Sequence, residues 1–260
     1  MRALVTFLVA SVLLGCRPAA AATDVPAIAA ASDLSFALEE AAVRFRASTG
    51  RDVKLVFGSS GNFFRQIEQG APFRLFLAAD ESLVMKLADM GKTQDRGRIY
   101  AIGRIVLFAG NGSPLQLDPQ LDGLRSAVAS GAVRRFAIAN PEHAPYGRAA
   151  EQALRKLGLW ESLRGKLVLG ESVSQAAQFA TSGSVDAGIF AYSIALAPRT
   201  GTLGKYVLIP AELHDPLRQR MALMKNAGAT ARAFYQYLEE PTARTIFERY
   251  GFIVPKESQE

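Results

Sequence analysis

The stretch FGSSGNFFRQIEQGAPFRLFLAAD, residues 57–80, contains one complete repeat of the local pattern that decides the fold. Ser59 and Ser60 stand between two glycines, after an apolar run and directly before a segment with helical spacing. Gly70 ends that segment, and a second apolar run follows. A strand, a small polar turn and an amphipathic helix in this order are typical of parallel strand–helix–strand units. The stretch therefore predicts an α/β fold with a loop of hydrogen-bond donors at the end of a strand.

The same pattern recurs on both sides of this stretch. Residues 25–50 repeat it upstream, Asp80 is placed to cap a helix that Gly91 ends, and the pattern restarts after about residue 104. Two groups of such units without a flexible linker predict two α/β lobes. Ligands of such folds bind at the carboxyl ends of the strands, so we expect the site in a cleft between the lobes.

The N-terminal segment MRALVTFLVASVLLGCRPAAAA, residues 1–22, predicts a secretory signal peptide. Its apolar run is too short to span a membrane. Two cleavage routes remain open, because LLGC resembles a lipobox with Cys16 as the lipidated residue, whereas AAAA offers an ordinary site. Arg17 directly after the cysteine is uncommon in lipoproteins and favours the ordinary site. Either route predicts export to the periplasm.

Composition narrows the function classes. The chain has 260 residues, 49% hydrophobic and 21% charged, as expected of a soluble protein with one large or two small domains. Cys16 is the only cysteine, so the exported protein is expected to have no internal disulfide. The formal charge of +6 falls to about +4 without Arg2 and Arg17, and no basic run exceeds Arg134–Arg135. This mild excess argues against nucleic acid as a partner.

Small polar residues or anchors stand where four predicted helices begin. These loops contain Ser32 with Asp33, Ser59 with Ser60, Pro145–Tyr146–Gly147, and Glu171–Ser172–Val173–Ser174. A helix N-terminus presents unpaired N–H groups and the positive end of the helix dipole, so each loop is a candidate oxyanion site. One such serine alone is usually only a helix cap. Four loops that converge on one cleft instead indicate an anion pocket.

Enzymatic alternatives have weaker support. The exported chain contains two histidines, His143 and His214, and no G-x-S-x-G motif. An exported serine hydrolase that uses Ser60 and His143 remains a remote alternative. No motif has the spacing of a metal site or a phosphate-binding loop.

Five segments together carry a family resemblance. AAASDLSFALEEAAVRF, FGSSGNFFRQIEQGAPFRLFLAAD, NPEHAPYG, ESVSQA and FYQYLEEPTARTIFERYGFIVP resemble the periplasmic molybdate-binding proteins, the ModA-type substrate-binding components of ABC transporters. The resemblance runs from about Ala27 to Pro255. It implies a two-lobed binding protein of type II topology, with two mixed sheets flanked by helices. The first lobe would comprise residues 23–103 and 212–260, and the second 104–211.

The resemblance also implies the function. The protein would be a monomer without enzymatic activity or a cofactor that captures molybdate or tungstate in the cleft and delivers it to a membrane permease. Another oxyanion, such as phosphate or sulfate, is the alternative ligand. The implied ligand contacts are Ser32, Asp33 through its N–H, Ser60, Tyr146 through its N–H or side chain, and Val173 through its N–H. They would bind the oxygens of the anion and would not coordinate the metal atom.

Two side chains raise questions within this resemblance. Many members donate a tyrosine hydroxyl from a later strand, but Ala191 matches that position here and Tyr192 points the other way along a strand. We therefore expect Tyr146 to supply the hydroxyl. The Asp33 carboxylate would repel a fully ionised anion and favour a protonated one such as phosphate. We expect it to turn outward in the first helical turn, where its charge suits the dipole.

Overall fold

The computed structural model describes residues 25–256. The predicted signal peptide and Cys16 lie outside these residues. The strands, in chain order, are β1 (Ala27–Ala31), β2 (Lys54–Gly58), β3 (Leu75–Ala78), β4 (Arg98–Gly103), β5 (Ile105–Gly110), β6 (Phe136–Ala139), β7 (Leu167–Gly170), β8 (Ala187–Ala191), β9 (Gly204–Leu208) and β10 (Leu217–Leu223).

Helices connect and cover these strands. They are α1 (Ser35–Thr49), α2 (Ser60–Glu68), α3 (Glu81–Asp89), α4 (Asp122–Ala129), α5 (Pro145–Lys156), α6 (Trp160–Arg164), α7 (Val173–Thr181), α8 (Tyr192–Ala195), α9 (Ala229–Glu239) and α10 (Pro241–Arg249). Short 3-10 helices span Ser32–Leu34, Thr200–Thr202 and Ala211–Leu213. No helix within residues 25–256 is long and apolar enough to cross a membrane.

The strands form two five-stranded sheets, which we call the first and the second lobe together with their helices. Their orders are β2-β1-β3-β10-β4 and β7-β6-β8-β5-β9. In the first sheet β1 is parallel to β2 and β3, whereas β10 is antiparallel to β3 and β4. In the second sheet β6 is parallel to β7 and β8, whereas β5 is antiparallel to β8 and β9. These arrangements confirm the prediction of two mixed sheets flanked by helices.

The chain crosses between the lobes twice. It leaves the first sheet between β4 and β5 and returns between β9 and β10. Every strand of the first sheet falls within residues 23–103 or 212–260, and every strand of the second within 104–211. β5 and β10 are the first strands after the two crossings, and both run antiparallel to their neighbours. The strand–helix alternation alone did not predict this direction.

Local signals place the helix ends as expected. The Asp80 side chain accepts a hydrogen bond from the Ser82 N–H at 2.9 Å and caps α3. Gly91 follows that helix with a φ of 68°, a conformation that glycine adopts without strain. Ser59 caps α2 by accepting from the Asn62 N–H at 3.3 Å. These caps fix where the helices begin and so where their free N–H groups point.

Each lobe has its own aromatic core. In the first lobe Phe45 of α1 packs against Phe234 of α9 with ring centroids 5.1 Å apart, so the C-terminal helices cover the first sheet. In the second lobe Phe108 of β5 packs against Phe190 of β8 at 5.3 Å. Burial of such a side chain contributes about 1.5–3 kcal/mol to stability. The loops between the lobes are therefore supported from both sides by packed sheets, and the buried apolar residues of the two lobes form one continuous cluster.

Candidate anion-binding site

Loops from both lobes meet in a small pocket at the carboxyl ends of the strands. It is lined by Ala31, Ser32, Asp33, Gly58, Ser59, Ser60, Ala79, Ala144, Pro145, Tyr146 and Val173. All five residues that the sequence singled out lie among these. The cavity volume is ≈ 10 Å³, about the room that one water molecule needs. The lobes are therefore in close contact around the pocket.

Two serine hydroxyls in the pocket have their oxygens occupied by backbone donors. Ser60 Oγ accepts the Ala79 N–H at 2.9 Å, and Ser32 Oγ accepts the Ser174 N–H at 3.3 Å. Both serines are buried. A hydroxyl that accepts a hydrogen bond still has its own proton to donate. The arrangement therefore orients both serines as donors without bringing a charge to the pocket.

Three helices begin at the pocket. α2 starts at Ser60, α5 at Pro145 and α7 at Val173. The N–H groups of a first helical turn have no partner within the helix, and they carry the positive end of its dipole. Pro145 lacks an N–H, so Tyr146 provides the first backbone donor of α5. The pocket thus combines hydroxyl and backbone donors from both lobes.

Asp33 does not turn outward, so that expectation is wrong. The residue is 1% exposed, in the 3-10 helix Ser32–Leu34, where the second lobe and β10 cover it. Its Oδ2 accepts hydrogen bonds from the Tyr146 hydroxyl at 2.8 Å and from Gln219 Nε2 at 2.6 Å. Tyr100 donates in turn to Gln219 Oε1 at 2.7 Å. The carboxyl is therefore one end of a buried polar network that joins both lobes.

Burial dominates the electrostatics of this network. Desolvation raises the pKa of Asp33 to about 6, although the hydrogen bonds from Gln219 and Tyr146 lower it. Asp33 Oδ1 is buried and has no hydrogen-bond partner among residues 25–256. Burial, with the nearby Asp33 charge, also raises the pKa of Tyr146 well above its usual value, so its hydroxyl keeps its proton.

The Tyr146 hydroxyl therefore has partners other than an anion. Its single proton goes to Asp33, and its oxygen accepts from Gln219 Nε2 at 3.0 Å. Its role as an anion donor stays a prediction, now with a competing acceptor. The Arg104 guanidinium carbon lies over the Tyr192 ring, 4.6 Å from the ring centroid. Tyr192 is not among the residues that line the pocket.

His143 joins the lobes but does not pair with Ser60. Its Nδ1 lies 3.0 Å from Ser59 Oγ, and its Nε2 lies 3.3 Å from a Glu171 carboxylate oxygen. Because the carboxylate can only accept, the Nε2 atom that faces it carries a proton, and Nδ1 pairs with the Ser59 hydroxyl. The His143 carbonyl also accepts the Gly61 N–H at 3.0 Å. The Ser60–His143 pair of the hydrolase alternative is therefore wrong. His143 bonds to Ser59 instead, and Ser60 Oγ accepts the N–H of Ala79, which directly follows β3.

Sequence reasoning placed Ser174 in a candidate anion loop but missed other residues that clamp the pocket, Ser193 and Gln219. Ser174 Oγ donates to the Ser32 carbonyl and Ser193 Oγ to the Asp33 carbonyl, both at 2.8 Å. Gln219 gave a signal, because it shares the buried face of β10 with Leu217 and Met221, two positions to either side. A polar residue at such a position is a signal for a buried hydrogen-bond network. The hydroxyl of Ser193 gives no comparable signal, because it lies at a helix start where caps are common.

Clusters of side chains that could bind a metal ion directly were also considered. Within the described part of the chain, no three His, Cys, Asp or Glu side chains are grouped so that they could hold a metal ion.

Comparisons with known proteins agree with this architecture. A family model described as bacterial extracellular solute-binding protein matches residues 27–253. The molybdate-binding protein ModA of Rhodobacter capsulatus is 36% identical over 239 residues, 91% of this chain and 90% of that protein. ModA of Escherichia coli K12 is 32% identical over 226 residues, 86% of this chain and 87% of that protein.

The solved structure of a relative has the same overall fold as this chain. The periplasmic molybdate-binding protein of Azotobacter vinelandii superposes with a TM-score of 0.81 at 32% identity, covering 89% of this chain and 100% of that one. The sequence match and the structural match thus both extend over most of the chain. The chain belongs to the ModA family of bacterial extracellular solute-binding proteins.

Proposed function

We propose that this protein captures molybdate or tungstate in the pocket between its lobes and delivers it to the permease of an ABC transporter. The observation that carries the proposal is the pair of serines, Ser32 and Ser60, whose oxygens already accept backbone N–H groups. Each hydroxyl therefore has its proton left to donate, which suits a ligand that accepts hydrogen bonds. The molybdate-binding names of the relatives support the same ligand class.

The chemistry of the anion suits such a pocket. Molybdate and tungstate are tetrahedral dianions that carry no proton at neutral pH and therefore only accept hydrogen bonds. Hydroxyls and helix N-termini replace a hydration shell with fixed dipoles, and charge-assisted hydrogen bonds of this kind are about twice as strong as neutral ones. None of the described residues that line the pocket is a lysine or arginine. Neutral donors from both lobes would therefore hold the charge.

Capture requires motion of the lobes. Four oxygens need more room than the ≈ 10 Å³ cavity of this structure, so the bound pocket must be wider. The crossings between β4 and β5 and between β9 and β10 are the natural hinge. Contacts of Ser59 with His143 and of Ser32 with Ser174 would reform as the lobes close.

Membership of this family places the protein outside the cytoplasm, with a transporter as its partner. We further propose that the segment 1–22 directs export, that the protein acts in the periplasm as a monomer, and that it catalyses no reaction.

Isothermal titration of the purified exported protein tests the proposal. Molybdate, tungstate, sulfate and phosphate are titrated separately, in buffers free of other oxyanions. We expect one-to-one binding of molybdate and tungstate, with weak or absent heats from the other two. Preference for sulfate or phosphate would replace the proposed ligand, and absence of binding by all four would overturn the proposal.

A further inference from the structure

The Asp33 carboxyl has one oxygen that the fold leaves without a partner. Oδ2 accepts two hydrogen bonds, from Tyr146 and Gln219. Oδ1 is equally buried, yet it accepts none from residues 25–256. A buried oxygen of this kind is costly unless a bound ligand or proton satisfies it. Because Asp33 lines the anion pocket, that ligand is a candidate partner.

An ionised Asp33 conflicts with the ligand of the proposed function, on which this inference rests. A carboxylate and a fully ionised oxyanion both only accept hydrogen bonds, so they repel each other in one buried pocket. The carboxylate also lies near its own backbone N–H. That N–H is the one that the family resemblance directs to the anion. Carboxyl and anion are thus expected on the same side of the turn.

Among residues 25–256, the groups that act on the Asp33 carboxyl supply no balancing positive charge. The groups that act on its carboxyl are the Tyr146 hydroxyl from α5, the Gln219 amide from β10 and its own N–H. Tyr100 of β4 donates a hydrogen bond to Gln219, which in turn donates to the carboxyl. Ser193 of α8 bonds to the Asp33 carbonyl. All of these groups are neutral, so only a proton can relieve the conflict.

We propose that the Asp33 side chain is a proton-linked ligand contact that takes up one proton from solvent when the anion binds and donates it through Oδ1 to an anion oxygen. Tyr146 and Gln219 hold Oδ2 and so leave Oδ1 as the atom that carries the proton. Binding of a fully ionised anion then consumes one proton. Monohydrogen phosphate brings a proton of its own and would bind without uptake.

Proton-linked calorimetry tests this role. Molybdate is titrated into the wild-type protein and Asp33→Asn at about pH 7.5, in two buffers that differ in their enthalpy of protonation. We expect uptake of about one proton by the wild type and none by the variant. Over the next pH unit upward, the Kd of the wild type should rise about tenfold, whereas that of Asp33→Asn should stay constant. Asp52→Asn, which changes an exposed carboxylate, should keep the wild-type proton number.

The outcomes separate this inference from the proposed function. Molybdate binding to the wild type without proton uptake would overturn the role of Asp33 and leave the proposed function standing. Equal uptake by wild type and Asp33→Asn would do the same. If the variant fails to fold, absence of proton uptake by the wild type still overturns the role of Asp33. Absence of molybdate binding to the wild type would overturn the proposed function and this inference with it.

Discussion

Replacement of Ser60 by alanine separates the two roles of its hydroxyl. The change removes a donor to a charged ligand, which is worth about 1.5–3 kcal/mol. We therefore expect molybdate affinity to fall by about ten- to 150-fold. The change also removes the acceptor of the Ala79 N–H, a buried bond of 2.9 Å. An unsatisfied buried donor costs about 1–3 kcal/mol, so the free energy of unfolding should fall by that amount.

Ser113→Ala is the matched control. Ser113 Oγ accepts the Leu115 N–H at 3.2 Å and donates to the Asp186 carbonyl at 2.6 Å, and Ser113 is not among the residues that line the pocket. Loss of such hydrogen bonds costs about 1 kcal/mol of stability. Urea unfolding should thus show both variants destabilised, whereas calorimetric titration with molybdate should show a loss of affinity for Ser60→Ala alone.

Two results of these measurements would refute the assignment of the Ser60 hydroxyl. If Ser60→Ala bound molybdate with wild-type affinity, the assignment of the Ser60 hydroxyl to the anion would be refuted. Loss of that hydroxyl would then have no effect on binding. Equal losses of affinity in both serine variants would also refute it, since they would trace the effect to general destabilisation.

Three further predictions concern the closed cleft. Folding raises the pKa of Asp33 from 3.8 to about 6, so its ionisation opposes folding above about pH 6 and ceases to do so below about pH 4. Urea unfolding should find Asp33→Asn more stable by up to about 3 kcal/mol at neutral pH, with no difference below pH 4; a constant difference would contradict this. His143→Ala loses the bond to Ser59 across the cleft, and stopped-flow release of molybdate should become about two- to tenfold faster. Tyr146→Phe removes the hydroxyl that donates to Asp33 Oδ2 and should weaken molybdate binding by roughly tenfold; unchanged affinity in the titration would contradict this and assign the contribution of Tyr146 to its backbone N–H.

Much of the architecture could be predicted from local patterns. Apolar runs, glycines and caps such as Asp80 lie where strands and helices begin and end, because these signals depend on neighbouring residues only. The same signals placed Ser32, Ser60 and Val173 at the ends of strands. Since carboxyl ends of parallel strands share one edge of a sheet, the proximity of Ser32 and Ser60 in the first lobe followed from the fold class.

Side-chain direction and pairing across the cleft were decided only by the tertiary structure. Asp33 reads as a solvated residue of a helix start, yet Gln219, 186 positions away, and Tyr146 of the other lobe enclose it. His143 contacts Ser59 rather than Ser60 because capping geometry turns neighbouring hydroxyls to different sides. The sequence by itself thus determined which loops hold donors. Closure of two separately folded lobes decided which donors, acceptors and charges meet, because that depends on contacts between residues far apart in the chain.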